Sequence, residues 1–216
     1  MSASTETKVD LGHPISSIAP RLVARVLEVL SGTTRPLAGR EIGRIIGEGS
    51  ANGVWKSLNR LEEQGVVLAD HRPRATYYVA NREHIAWPAI ETLTWLRGEL
   101  TARLASEVER WKIAALHASI FGSTARGDAD QSSDVDLLLV RPDNLNDADA
   151  ETWDAQVSAL RDAVRRWTGN RCQTFVVDAS RLGEHVRALD PLVRAWLDDE
   201  ILLSGTPIRD LVAAIQ

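Results

Sequence analysis

The chain has 216 residues, 44% hydrophobic and 25% charged, with a formal net charge of -5; this is a globular composition, long enough for two small domains. Its single cysteine, Cys172, excludes an internal disulfide, and with five scattered histidines it cannot build a structural zinc site. No stretch approaches the roughly 18 uninterrupted apolar residues of a membrane span, so a cytoplasmic protein with no membrane partner is expected.

The net charge argues at first against a nucleic-acid partner, but it is an average. Pro20 to Glu83 carries a net +3 and His84 onward a net -7. The polar start, Met1 to Asp10, reads as disordered. In the basic segment, Leu22, Val23, Val26, Leu27 and Leu30 recur at helical spacing after Pro20 and stop at Ser31-Gly32. A second helix spans roughly Ala38 to Ile46, with Ile42, Ile45 and Ile46 on one face, and ends at Gly47-Glu48-Gly49. Ser50 then caps a third helix, whose apolar positions Ala51, Val54, Trp55, Leu58 and Leu61 step by three and four until Gly65. Its opposite face presents Asn52, Lys56, Asn59 and Arg60. Two β-prone runs follow, Val66-Val67-Leu68 and Thr76-Tyr77-Tyr78-Val79, joined by a loop that holds His71, Arg72, Pro73 and Arg74.

This order, with Ser50 to Val67 ending in LNRLEEQGVV, resembles a bacterial winged helix-turn-helix regulator over about residues 18–82. The resemblance implies DNA binding, with the third helix in the major groove. Asn52, Lys56, Asn59 and Arg60 are then directed at base edges and phosphates, and Arg72 and Arg74 of the wing at the neighbouring backbone. A solvated polar face, or a protein-docking module, is the alternative. Trp55 reads as a packing residue beside Val54 and Leu58.

Residues 83–111 connect the two halves. Ile90, Leu93, Leu96, Leu100, Leu104 and Val108 predict one helix from Pro88 to about Trp111, suited to packing on either domain or to pairing in a homodimer, with Gly98 its weak point. Trp87, Trp95 and Trp111 read as core or interface side chains.

The chemistry lies in residues 112–216. An apolar run, Ile113 to Phe121, ends in Gly122-Ser123-Thr124-Ala125-Arg126-Gly127-Asp128, and Ser133-Asp134-Val135-Asp136 leads into Leu137-Leu138-Leu139-Val140. Residues two apart on a strand share a face, so Asp134 and Asp136 form a carboxylate pair while Val135 and Leu137 turn to the core. Oxygen ligands on a rigid strand favour Mg²⁺ or Mn²⁺. Gly122 and Ser123 at a helix start can offer backbone N–H groups and a hydroxyl to phosphates, where a side chain at Gly122 would obstruct close approach.

A Gly-Ser turn after an apolar strand, ten residues, then Asp-Val-Asp opening another strand resembles the polymerase-β-like nucleotidyltransferase superfamily, in particular its minimal branch, over about residues 100–210. The resemblance implies an α+β chain of two domains, a winged helix-turn-helix followed by a mixed sheet with helices. It also implies transfer of a nucleoside monophosphate from an NTP, with Asp134 and Asp136 as catalytic metal ligands and Gly122 and Ser123 on the phosphates. Arg126 has an auxiliary nucleotide-binding role, unless it pairs with Asp128 or Asp130. Minimal members occur in toxin-antitoxin pairs, which gives a partner protein as an expectation, and the acceptor is a protein, an RNA or a small molecule.

Active members add a third carboxylate from a later strand. Here that strand is Cys172 to Val177, after an amphipathic helix through Trp153, Val157, Leu160, Val164 and Trp167, and the position is occupied by Gln173. An amide takes no proton at neutral pH and is a poor second-metal ligand. Asp178, five residues on, falls on the opposite face and reads as a helix N-cap. Two readings stand: a DNA-binding nucleotidyltransferase, or a transcription regulator whose nucleotidyltransferase domain senses nucleotide without turnover. Cys172 reads as a buried strand residue, and His13, His71, His84, His117 and His185 as structural or solvated, with His71 also able to contact phosphate. Asp198, Asp199 and Glu200 read as a solvated acidic end.

Overall fold

The computed structural model describes residues 8–188 and 190–214. The chain divides into two compact units: a hairpin unit, His13–Arg97, and a sheet unit that joins the residues before it to those from Gly98 on. No helix among the described residues is long and apolar enough to cross a membrane.

The hairpin unit contains α1 (Arg21–Ser31), β1 (Leu37–Ala38), α2 (Gly39–Ile46), α3 (Ala51–Glu63), β2 (Val67–Arg72), β3 (Ala75–Ala80) and α4 (Trp87–Thr94). Gly47, with φ 70°, closes α2 in a conformation that L side chains avoid. Ser50 Oγ accepts the Gly53 N–H at 3.1 Å and so starts α3. The strands form an antiparallel sheet in the order β1-β3-β2, and Ala24, Val26, Leu30, Ile42, Val54 and Leu58 fill the core.

Several expectations for this unit are corrected. Ile45 is 51% exposed and Trp55 54% exposed. Successive helical residues are about 100° apart, so the stripe that reaches the core is Val54, Ser57, Leu58 and Leu61, and Trp55 stands about a quarter-turn outside it. Ala51 is also exposed. The hairpin is tighter than the loop expected from the sequence: Arg72 pairs with Ala75 across the strands, so His71 and Arg72 lie on β2 and only Pro73 and Arg74 form the turn. The single helix from Pro88 to Trp111 is instead two, α4 and α5 (Leu96–Glu109). The break falls at Trp95 and not at Gly98. There the Thr92 and Thr94 hydroxyls donate to the carbonyls of Pro88 and Glu91, both at 2.9 Å, a local alternative to the helical ladder. Trp87 is buried in the hairpin-unit core, Leu104 and Val108 in that of the sheet unit, and Trp95 is 62% exposed.

The sheet unit continues with β4 (His117–Phe121), α6 (Gly122–Arg126), β5 (Val135–Arg141), α7 (Asp147–Thr168), β6 (Cys172–Asp178), α8 (Ala179–Arg187), α9 (Pro191–Asp198), β7 (Ile201–Gly205) and α10 (Ile208–Ala213). The sheet order is β6-β5-β4-β7, with β5 and β6 parallel and the other pairs antiparallel. This is the mixed α+β arrangement expected. β4 is shorter than the apolar run that announced it, and α10 was not anticipated, although Ile208 and Val212 stand at helical spacing after Pro207.

β5 is buried on both faces. Val135, Leu137 and Leu139 enter one core with Leu104, Trp153, Leu160 and Val164. Leu138 and Val140 enter another, with Phe121, Leu182, Trp196 and Ile208. An uninterrupted apolar run is the sequence signature of such a strand.

The start of the chain is not loose where it is described; residues 1–7 lie outside the described residues. Asp10 and Leu11 are each 2% exposed. The Val9 N–H is shared between Thr168 O and Asn170 Oδ1, at 2.9 and 3.0 Å, and Asn170 Nδ2 donates to Val9 O at 3.1 Å and to Ser133 O at 3.0 Å. One fully buried amide therefore clamps this arm and the loop before Asp134. Asn170→Ala leaves those buried groups unpaired and is expected to destabilise the chain by about 2–4 kcal/mol, measured by denaturant unfolding.

Candidate functional site

Strand alternation sets the site. Asp136 shares its face of β5 with Leu138 and Val140, and Asp134 lies two residues earlier, just before the strand begins. Both carboxylates are half-buried. Burial, and then the charge of Asp134, push the Asp136 carboxyl above the usual carboxylate range, with Arg126 acting in the opposite sense. Such a pair is short of positive charge. Two oxygen-donor side chains on one rigid strand fit a divalent cation that completes its shell with water and phosphate. Among the described residues, no group of three or more His, Cys, Asp or Glu forms a further candidate metal cluster.

Gly122 is required twice over. Its φ is 69°, and an added Cβ would stand 2.9 Å from Asp136 Oδ2, because Phe121 is the cross-strand partner of Asp136. Ser123 follows, half-exposed, and the Thr124 hydroxyl donates to the Asp134 carbonyl at 3.2 Å, which fixes α6 against the carboxylate pair. The returning loop is ordered from within: Asp130 Oδ1 accepts from Ser132 N–H at 2.8 Å and Ser133 N–H at 3.1 Å. Bonds from Ser132, first its hydroxyl, hold the Asp130 carboxyl below its ordinary range. The arm supports this loop from outside. The Gly12 N–H donates to Ala129 O at 3.1 Å, and a Cβ on Gly12 would lie 2.3 Å from that oxygen.

Arg126 pairs with Asp128 at 3.2 Å and with Asp199, not with Asp130. These bonds raise its pKa, that to Asp128 foremost. Asp199 is therefore not part of a solvated end; its side chain is 11% exposed. Glu200 is likewise engaged, accepting the Ile208 N–H at 2.8 Å. No local signal could have joined residues 73 positions apart.

Gln173 is in register with Asp136 on the parallel neighbour β6, hence on the same face, and its Nε2 donates to Asp134 Oδ2 at 3.3 Å. Asp178 lies on the other face and is the N-cap residue of α8, as expected, although its side chain makes no capping hydrogen bond. Its carboxylate takes Arg141, while Asp143 accepts the Ser180 N–H at 3.1 Å. Cys172 is half-buried, and burial pushes its thiol up to about 12, which removes it as a nucleophile. His117 is fully buried between Thr206 O, at 2.8 Å, and Ser119 Oγ, at 2.7 Å, and burial lowers its pKa.

In the hairpin unit, Asn52, Lys56 and Arg60 are exposed on α3 and Asn59 is half-buried. The two hairpin arginines differ. Arg72 is held by Asp70 at 2.7 Å and lies 4.9 Å over the Tyr77 ring, whereas Arg74 sits at the turn with no ion pair among the described residues. His71 is tied to Glu62 at 2.8 Å and to Thr76 at 3.2 Å.

Residues 103–184 match the family model of the nucleotidyltransferase domain. No curated protein matches the chain significantly. Similar solved structures include a toxin-antitoxin with AMP-PNP, at 14% identity over 53% of this chain and 82% of that one, TM-score 0.36. Another is described as a nucleotidyltransferase from Sulfolobus solfataricus, at 22% identity over 48% and 76%, TM-score 0.30. A third is a mutant of the toxin-antitoxin MntA-HpeT, at 14% identity over 55% and 82%, TM-score 0.33. The matched segment holds Gly122, Asp134, Asp136 and Gln173.

Proposed function

We propose that the sheet unit binds an NTP together with one divalent cation on Asp134 and Asp136, without transferring the nucleotidyl group. We also propose that the hairpin unit is a winged helix-turn-helix that binds DNA, so that the whole is a nucleotide-sensing transcription regulator. The observation that carries the first part is Gln173 at the carboxylate pair. Nucleotidyl transfer forms a bond from an acceptor oxygen to the α-phosphorus, breaks the bond to pyrophosphate, and releases the acceptor's proton to a base. The Gln173 amide accepts no proton, and it donates to Asp134 from the position where a third carboxylate would act. A cation on the pair would supply charge neutralisation for the triphosphate. Gly122 leaves room for a phosphate beside Asp136, and the Asp130-ordered loop and the Val9–Gly12 arm hold that approach in place. A toxin or antitoxin partner protein, which the motif implies, belongs to the same reading, as does an intracellular setting.

Adding Mg²⁺ and NTP at about 100 times Kd is expected to stabilise the chain by about 2.7 kcal/mol, with no transfer of label from NTP to any component of a cell extract. Asp134→Asn abolishes this response yet raises the Tm of the ligand-free chain, because it relieves the repulsion that Asp136 experiences. Loss of Tm together with an intact response would refute the assignment. Gln173→Glu supplies the missing carboxylate and is expected to switch on metal-dependent label transfer; a variant as silent as the parent places the block elsewhere.

The DNA reading is supported by the local charge of +3, the exposed polar face of α3 and an Arg74 that has no ion pair among the described residues. Arg74→Ala is expected to lower the slope of log affinity against log salt by about one, and Arg72→Ala, already committed to Asp70, by less. Equal effects, read by fluorescence anisotropy across a salt series, would contradict this ranking.

A further inference from the structure

A groove of about 510 Å³ opens in the hairpin unit between α2, the first turns of α3 and the β2–β3 turn. Gly39, Gly43, Val54, Leu58 and Tyr78 line it, and Arg40, Trp55 and Arg74 contribute its large polar and aromatic side chains. Three observations indicate what it receives. Trp55 is 54% exposed, so a large aromatic ring that burial would stabilise is left facing solvent. Arg40 and Arg74 come from opposite walls, and neither has a side-chain partner among the described residues. The acid in the lining, Glu48, is already neutralised by Arg21 at 2.7 Å and Arg25 at 3.2 Å, so the groove presents net positive charge. Trp55 also stands one helical turn from Asn52 and Asn59 and beside Lys56, which makes the groove continuous with the polar face of α3.

A cationic groove with a half-exposed indole, adjoining amides that match base edges, suits a duplex more than a free small anion. We propose that this groove seats one strand of duplex DNA, with Arg40 and Arg74 on its phosphates and Trp55 on base edges, which makes Trp55 a specificity-determining residue. The inference rests on the DNA-binding reading above. The indole has one N–H donor for purine N7 or O6 and an apolar edge for a thymine methyl, so it discriminates between bases where the two arginines do not.

The test selects a preferred duplex from random-sequence duplexes with the full chain, then compares it with a scrambled duplex by fluorescence anisotropy. Trp55→Ala is expected to reduce the preference for the selected duplex by about tenfold or more, with affinity for the scrambled one unchanged. The double variant Arg40→Ala/Arg74→Ala weakens both alike and lowers the salt slope by about two. Quenching of tryptophan fluorescence by the selected duplex, present in the parent chain, disappears in Trp55→Phe. An unchanged preference in Trp55→Ala overturns the groove proposal while DNA binding itself stands. So does a change in sedimentation of the DNA-free Trp55→Ala chain, which would make the groove a contact between copies. Failure of the parent chain to bind any duplex overturns the DNA reading beneath it.

Discussion

Everything at the candidate nucleotide site depends on the two-residue alternation of β5. Because both faces of this strand are covered, each side chain from Val135 to Val140 is either packed into one of two cores or, at the strand's mouth, exposed to a ligand. The apolar members anchor the strand so firmly that the position of Asp136 is fixed by its neighbours at Leu137 and Leu138, both fully buried. A slip of one residue would carry the aspartate to the other face and a leucine to the site. Packing of the core and placement of the carboxylates are one constraint.

Around that strand the site is held by contacts from distant parts of the chain. The Gly122 backbone can lie against Asp136 only because it carries no Cβ. Asn170, just past the end of α7, joins Val9 to Ser133, and Asp199, after α9, orients Arg126. The Asn170 bonds are shielded from water, where an unmade bond costs more than a made one gains. The loop that carries the motif is held by the protein's own hydrogen bonds, as the proposed nucleotide site requires.

Gln173 gives this site its particular character. Its register opposite Asp136 is that of a residue meant to act on the same ligand, yet an amide can only orient Asp134 and cannot share its charge. Holding two like charges close without a third carboxylate lessens the electrostatic cost of the ligand-free state while it removes the base. On the reading proposed above, binding and turnover draw on different residues, and this site keeps the former.

By itself the sequence determined the type of most elements and the shared face of Asp134 and Asp136, because these follow from local periodicity. It also set Gln173 on the strand after α7, and the register with Asp136 came from the pairing of β5 and β6. What only the tertiary structure decided is which partners meet. Trp55 was assigned to the core on spacing alone, but a helix position is buried only if another element covers it, and none does. The end of one helix and the start of another at Trp95, the capture of Val9 by Asn170 and of Arg126 by Asp199 likewise depend on chain segments brought together by packing. Spacing along the chain reports the face a residue can share, and the physical reason it goes no further is that burial is a property of two surfaces, only one of which any local stretch contains.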